Sequence, residues 1–385
     1  MERHNPACRP VRGRVFLMLF GLLFAGLFAS LLAADPALAQ RGEVPPELRE
    51  SPTAGAVPGG TLGTEAQSDV WRAIRQGAEG STRMIDPQAG LLVQSEGDNW
   101  RAIRNGPVSV YGMWALMAVV ALLALFFLVR GRIRLEHGWS GRTITRFTTV
   151  ERMSHWLLAV SFIVLALTGL NILYGRYVLP PVIGAEAFGL ITYWGKLAHN
   201  YVAFAFMTGL IAAAVMWIVH NVPNRHDLVW LLKGGGMFSR GTHPPARKFN
   251  AGQKILFWLI ILGGVSISLS GIALMFPFQF PMFAKTFEFL NLFGLNLPTV
   301  LTPLQEMQYA QLWHTIMALF LVAVVLGHIY LGTIGMEGAF DAMGSGEVDL
   351  NWAKEHHGLW VEEEEMARKR AAVEEQAPST PEPAE

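Results

Sequence analysis

Five long apolar runs dominate the chain after residue 106. Each run lacks Asp, Glu, Lys and Arg and reaches the roughly 20 residues that a helix needs to cross a hydrocarbon core about 30 Å thick. Because a bilayer core offers no water to backbone N–H and C=O groups, each run is predicted to be a helix. The runs cover residues 107–129, 153–175, 197–221, 255–277 and 307–336. The pattern predicts an all-α integral membrane protein.

A further apolar run near the N-terminus, residues 15–34, follows several arginines and is followed by small residues up to Ala39. This order is typical of a secretory signal, so residues 1–39 are predicted to be a cleavable signal peptide. The length of the run leaves an uncleaved anchor as the alternative. In either case the segment that follows is exported.

The remaining pattern divides the chain into an exported segment, a membrane part and a tail. The exported segment is mixed in charge and begins rich in Gly, Pro and Ser, as expected for an extension without a large core. The membrane part holds one extra N-terminal transmembrane helix and a four-helix bundle. The predicted bounds are 40–106 for the periplasmic extension, 107–130 for the extra helix, 146–336 for the four-helix core and 337–385 for the tail.

Basic residues are distributed unequally between the loops. The loops after the first and third runs together carry twelve Arg and Lys residues, whereas the loops after the second and fourth runs carry three. Cytoplasmic loops are enriched in Arg and Lys, so the first pair of loops is predicted to be cytoplasmic. This places the mature N-terminus in the periplasm and the C-terminus in the cytoplasm of a bacterial inner membrane.

Composition narrows the function. Hydrophobic residues make up 52% and charged residues 16% of the 385 positions, and the net charge is zero, so a general affinity for nucleic acid is not expected. The single cysteine, Cys8, lies in the predicted signal peptide, which excludes disulfides, cysteine-held iron–sulfur clusters and covalent haem attachment through Cys-x-x-Cys-His. The absence of carboxylates from the runs argues against a transporter.

Histidines are the ionisable residues within the runs. The topology places His155 and His328 towards the cytoplasmic face, and His199 and His314 towards the periplasmic face. His314 and His328 share one predicted helix, on which 14 residues correspond to a rise of about 21 Å. Two histidines at each of two depths suit two stacked haems with bis-imidazole ligation, which leaves no open iron position and so favours electron transfer. Zinc would instead need its ligands gathered at one point.

Each histidine also has a plainer interpretation. A single histidine near a helix end is usually an interfacial hydrogen-bonding residue, and a haem-free membrane anchor would use all four in this way. His220 is interpreted as interfacial, with a haem propionate or quinone as the alternative neighbour. Five further histidines in loops and tail are predicted to be solvated: His137, His226, His243, His356 and His357.

Polar residues at the start of the fourth run suit a quinone. Asn250 and Gln253 supply neutral donors and acceptors for quinone carbonyls, and Gly252 leaves room for a ring, all at the predicted depth of His328. The alternative is that Asn250 only caps a helix. Four glycines within the runs could let a macrocycle or a neighbouring helix approach closely: Gly169, Gly209, Gly271 and Gly327.

Two segments outside the runs carry weaker signals. Residues 70–77 and 99–106 repeat a Trp-Arg-Ala-Ile-Arg motif, which suggests a duplicated docking element, two short helices packed together, or chance. In the tail, the charged stretch 361–374 predicts a solvated helix or a partner support, and the Pro- and Glu-rich end is predicted to be disordered.

From residue 146 to 364 the chain resembles the gamma, or cytochrome b, subunit of membrane-bound formate dehydrogenases. The motifs that carry the resemblance include Glu-Arg-Met-Ser-His-Trp at 151–156, Leu-Ala-His at 197–199, His-Asn-Val-Pro at 220–223, Asn-Ala-Gly-Gln-Lys at 250–254, His314, His-Ile-Tyr at 328–330 and Trp-Ala-Lys-Glu-His-His at 352–357. The signal segment, the extension and the extra first helix depart from the shortest members of that family.

The resemblance implies a di-haem b subunit that carries electrons from an iron–sulfur (beta) subunit to quinone. A molybdenum- or tungsten-containing catalytic (alpha) subunit in the periplasm would oxidise formate. The positions that match the family's haem ligands are His155, His199, His314 and His328, and those that match its quinone site are Asn250, Gly252, Gln253 and His328. The nearest alternatives are the cytochrome b subunits of nickel–iron hydrogenase and thiosulfate reductase.

Overall fold

The structure, a computed structural model, describes residues 80–81, 91–93, 96–239, 241–276 and 279–376. The predicted signal peptide, most of the predicted periplasmic extension, the first copy of the repeat at 70–77 and the Pro- and Glu-rich end lie outside the described residues. The second copy of the repeat lies where a helix, Glu96–Ile103, leads through a π-helical turn, Arg104–Val108, into the first apolar helix.

The described residues are mostly helical. In chain order the elements are β1 (Gly80–Ser81), β2 (Leu91–Val93), α1 (Glu96–Ile103), α2 (Ser109–Arg130), β3 (Thr143–Thr145), α3 (Thr149–Val178), α4 (Pro180–Ile183), α5 (Ala185–Trp217), α6 (Arg225–Leu232), α7 (Ala251–Met275), α8 (Met282–Asn291), α9 (Pro303–Tyr330), α10 (Asp341–Gly344), β4 (Glu347–Asp349) and α11 (Leu350–Gln376). Two antiparallel pairs, β1 with β2 and β3 with β4, depart from the all-α prediction.

Five helical stretches in the described part are long and apolar enough to cross a membrane, and each contains one of the predicted runs or most of it. They are residues 99–130, 149–178, 185–217, 251–275 and 303–335. Their bounds differ most at α5, which begins at Ala185 rather than near residue 197. His199 therefore lies well inside its helix instead of beginning it. Glu186 and Lys196, which the narrower run excluded, are also part of this helix.

The described residues form two compact units. The first contains residues 116–265 and 320–376, and the second contains β1, β2, residues 96–115 and residues 266–319, with the gaps given above. In the first unit α3 packs along α5. A Cβ on Gly209 would come within 2.9 Å of the Leu158 backbone, so Gly209 lets these two helices approach closely, as one of its predicted roles requires.

Three polar segments of the first unit fold together into a layer that we term the polar cap: residues 131–148, 241–250 and 336–361. Glu355 accepts hydrogen bonds from the backbone N–H groups of Glu136 and His137 at 3.1 and 2.9 Å, and Asp349 accepts from Ser140 at 2.9 Å. Strand β3 pairs with β4 within the same layer. The loops after the first and third runs and the tail therefore lie on one side, as the topology requires, while the orientation of that side remains a prediction.

The polar cap corrects the predicted solvation of the tail histidines. His357 is only 1% exposed, and its Nδ1 lies 2.7 Å from the carbonyl oxygen of Arg247. Burial lowers the pKa of His357 well below its ordinary value, and it lowers that of the half-buried His356 to about 4. His137 and His243 are exposed as predicted, and His226 is half-buried. Helix α11 is exposed at most positions beyond Val361, in agreement with a solvated helix.

Candidate functional site

The imidazole rings of His155 and His328 lie together in the first unit, with centroids 6.1 Å apart and planes inclined by 70°. His155 follows the N-terminus of α3, where Thr148 and Glu151 form a reciprocal capping box. Arg152 and Trp156 fasten this end of α3 to the backbone carbonyls of Gly344 and Met343 in the polar cap. His328 lies near the end of α9, just before a π-helical turn at Leu331–Gly335. The cap thus fixes the position of His155.

Two buried polar atoms near this ring pair have no hydrogen-bond partner among the described residues. Nδ1 of His155 is buried and has no hydrogen-bond partner among the described residues, and neither has the buried hydroxyl of Tyr330. His328 is exposed although it lies on an apolar helix, and a Cβ on Gly327 would meet nothing within 4 Å. An imidazole exposed at such a position gains little from lipid, so the arrangement favours a further group against the two rings.

His199 is held by a hydroxyl from the neighbouring helix. Its Nδ1 lies 2.8 Å from Oγ1 of Thr168 on α3. The next residue, Gly169, lies against the same ring, since a Cβ there would approach Cε1 of His199 to 3.3 Å. Gly169 therefore allows a close approach, as predicted, and the group that approaches it is the imidazole of His199.

His314 has a matching environment in the second unit. Its Nδ1 lies 3.1 Å from Oγ of Ser270 on α7, and a Cβ on Gly271 would approach its Cε1 to 3.3 Å. Trp313 donates a further hydrogen bond of 2.7 Å from α9 to Ser266 on α7. A hydroxyl residue followed by glycine thus faces a histidine twice in the molecule. Sequence reasoning missed Thr168 and Ser270, although the Thr-Gly and Ser-Gly pairs were visible in the second and fourth runs.

These side chains suit haem ligation. A single metal ion between two imidazole nitrogens would separate the ring centres by roughly 6 Å, given metal–nitrogen bonds of about 2 Å. The 6.1 Å between His155 and His328 agrees with that value. No three His, Cys, Asp or Glu side chains of the described part gather where they could hold a metal ion. Haem needs only axial ligands from the protein because the macrocycle provides the remaining four.

The residues predicted to line a quinone site begin α7 with a capping box. Oδ1 of Asn250 accepts from the backbone N–H of Gln253 at 2.9 Å, and Oε1 of Gln253 accepts from the backbone N–H of Asn250 at 3.1 Å. A Cβ on Gly252 would come within 2.9 Å of the Trp230 ring, so the space at this glycine is used by an indole. The structure thus shows the capping role that the sequence left open, and the quinone assignment stays a prediction.

Arg146 adds a buried cation beside this box. It is 4% exposed, and its Nη2 donates to the Lys248 carbonyl at 2.8 Å and to Oε1 of Gln253 at 3.3 Å. Burial lowers the pKa of Arg146 to about 9. Three aromatic rings lie 5.0–5.9 Å from the guanidinium, which partly compensates for its lost hydration: Phe147, Trp352 and Trp360. His220 is exposed in a short 3₁₀ turn, and its ring centroid lies 6.5 Å from that of Phe249, the residue before Asn250.

Comparison with known protein families shows which family this chain belongs to. The sequence model of prokaryotic cytochrome b561 matches residues 146–346, just over half of the chain. The chain belongs to the prokaryotic cytochrome b561 family. Membership implies haem b as the cofactor, and the matched segment contains all four histidines described above. With its apolar helices, this cytochrome is a multi-pass membrane protein.

Several curated relatives are cytochrome subunits of formate dehydrogenases. The chain is 27% identical over 238 residues to the cytochrome b556(Fdn) subunit of the nitrate-inducible formate dehydrogenase of Escherichia coli K12, which covers 61% of this chain and 97% of the relative. It is 26% identical over 231 residues to the cytochrome b556(fdo) subunit of the same strain, covering 60% and 97%. The cytochrome b556 subunit of Haemophilus influenzae formate dehydrogenase is 25% identical over 228 residues, covering 58% and 85%.

Proposed function

We propose that this chain is the di-haem cytochrome b subunit of a membrane-bound formate dehydrogenase. It anchors the complex in the bacterial inner membrane and carries electrons from an iron–sulfur subunit to quinone. Formate oxidation takes place on a separate molybdenum or tungsten subunit in the periplasm. Because quinone takes protons from the cytoplasm while formate oxidation releases them outside, the complex forms a proton-motive redox loop.

The observation that carries this proposal is the combination of family and histidines. Relatives named as formate dehydrogenase cytochrome subunits align with this chain over 97% of their own length, and the family model matches residues 146–346, which contain the four histidines. The ring centroids of His155 and His328 lie 6.1 Å apart, a separation that suits one iron, and the rings of His199 and His314 each contact a hydroxyl.

The four histidines are proposed to act as two pairs of axial ligands. His155 and His328 would hold the haem nearer the polar cap, and His199 and His314 would hold the second haem. Bound haem b supplies one-electron transfer at each site. The protein orients the imidazoles on apolar helices, and two histidines at each site would leave no ligand position for oxygen or substrate.

Quinone is proposed to bind near the start of α7, beside the polar cap. There the oxygens of Asn250 and Gln253 face backbone N–H groups, so the amide nitrogens are the atoms suited to donate towards a quinone carbonyl. Arg146 supports this orientation because it donates to Oε1 of Gln253. With the basic loops on the cytoplasmic side, quinone reduction would take up protons from the cytoplasm.

The proposal is tested by purifying the complex from native membranes in mild detergent. We expect a formate-oxidising subunit and an iron–sulfur subunit to co-purify with the chain, two haems b per chain, and reduction of those haems by added formate. Co-purification with a hydrogenase or thiosulfate reductase, and haems that formate leaves oxidised, would assign the chain to another complex. A complex without a b-type spectrum would make it a haem-free anchor.

A further inference from the structure

The hydroxyls of Thr168 and Ser270 are each fixed by their own helix. Oγ1 of Thr168 lies 2.7 Å from the Val164 carbonyl oxygen, and Oγ of Ser270 lies 3.0 Å from the Ile267 carbonyl oxygen. Both distances are those of a hydroxyl that donates to a carbonyl oxygen, which has no proton of its own to give. Each hydroxyl proton therefore points back to its own helix.

This use of the proton decides which atom of each histidine carries hydrogen. With its proton given to its own helix, the Thr168 oxygen is left as an acceptor for Nδ1 of His199, whose ring also reaches the Leu165 carbonyl. The Ser270 oxygen is likewise left as an acceptor for Nδ1 of His314. The neutral ring then carries its proton on Nδ1 and presents Nε2 as a lone pair. Both rings are thereby set in the tautomer and orientation that a metal ligand requires before any cofactor binds.

Such a hydrogen bond also changes the ligand electronically. An imidazole whose N–H is donated to an acceptor becomes more basic, and a more basic axial ligand stabilises ferric over ferrous iron. The acceptor is strengthened here because each hydroxyl is polarised by its own bond to a carbonyl. His155 contrasts with this arrangement, since its buried Nδ1 has no partner among the described residues.

We propose that Thr168 and Ser270 are positioning residues that lower the reduction potential of the haem bound by His199 and His314. The inference rests on the proposed di-haem function. Its consequence is a difference in reduction potential: the haem bound by His155 and His328 has the higher potential, because Nδ1 of His155 has no acceptor among the described residues. Electrons that enter at the haem of His199 and His314 then move to the haem of higher reduction potential, which His155 and His328 bind.

The test is a redox titration of the haem absorption in the purified complex. Thr168→Val keeps the shape of the side chain and removes the hydroxyl beside His199. Ser270→Ala removes the hydroxyl beside His314. Thr168→Ser restores the hydroxyl. Ser161→Ala is the matched control, because this buried α3 hydroxyl also bonds back to its own helix, at 2.6 Å from the Leu157 carbonyl oxygen, and no histidine is among its hydrogen-bond partners.

We expect Thr168→Val and Ser270→Ala each to raise the midpoint potential of the lower-potential haem and to leave the other haem unchanged. Thr168→Ser and Ser161→Ala should titrate like the wild type. Loss of one haem in Thr168→Val but not in Thr168→Ser would also support a role of the hydroxyl.

Two outcomes would overturn the inference while leaving the proposed function intact. One is a pair of variants, Thr168→Val and Ser270→Ala, that retain both haems at wild-type potentials. The other is equal loss of haem in Thr168→Val and Thr168→Ser, which would show that side-chain shape matters and the hydroxyl does not. A wild-type complex without haem would instead refute the proposed function itself.

Discussion

The two histidine environments differ in what holds the ring. His199 and His314 are each oriented by a hydroxyl and a glycine from a neighbouring helix. The ring centroids of His155 and His328 lie 6.1 Å apart, and the end of α3 that carries His155 is attached to the polar cap. The first environment is prepared by the membrane helices themselves. The second depends on the fold of the cap and, in the proposed function, on the haem that the two histidines would hold.

Among substitutions that leave the four histidines in place, the largest effect is expected from Gly169→Ala. The added Cβ would lie 3.3 Å from Cε1 of His199, next to the nitrogen proposed to bind iron. Overpacking of this kind costs about 1–3 kcal/mol, so we expect binding of one haem to weaken by roughly 10-fold. Gly189→Ala is the matched control on α5, since its Cβ would meet nothing within 4 Å. Haem content during detergent washing measures both, and equal retention would contradict the proposed position of His199.

A smaller effect is expected from Gln253→Glu, which separates quinone binding from helix capping. Glutamate at this position still accepts the Asn250 N–H, as in a normal capping box, but it lacks the amide donor. Loss of one hydrogen bond costs about 0.5–1.5 kcal/mol, so the KM for quinone should rise several-fold with both haems retained. Unchanged quinone kinetics in the variant would leave this box with a capping role alone.

The smallest effect is expected from pH. His357 is buried with its pKa well below the ordinary value, so below about pH 6.5 the unfolded chain binds more protons than the folded one. Stability of the polar cap is therefore complete above this pH and declines as the pH falls below it. The haem proposed to bind His155 and His328 should respond first, because the cap holds His155.

Spectra recorded from pH 7.5 to 5.5 check this order of response. His357→Gln can still donate to the Arg247 carbonyl but cannot titrate, so it should reduce the acid sensitivity. Equal acid sensitivity in the variant and the wild type would remove His357 from the explanation.

The sequence predicted the five long apolar helices, because burial in lipid imposes long uncharged runs. The four histidines stand out in those runs, and their role as haem ligands stays a prediction. The sequence pattern misplaced the start of α5, because helix α5 continues through Lys196 and Glu186 beyond the apolar run. It missed the burial of His357, since the polar cap is built from contacts between segments about 100 residues apart, such as His357 with Arg247. The contacts of Thr168 with His199 and of Ser270 with His314 join different helices, so no local sequence pattern reveals them.

Haem content of paired histidine variants tests the central claim most directly. If His199 and His314 hold one haem and His155 and His328 hold the other, the double variant His199→Ala with His314→Ala should retain one haem per chain. The double variant His199→Ala with His155→Ala should retain none, because each haem then loses an axial ligand. One haem retained in the second variant and none in the first would contradict the pairing.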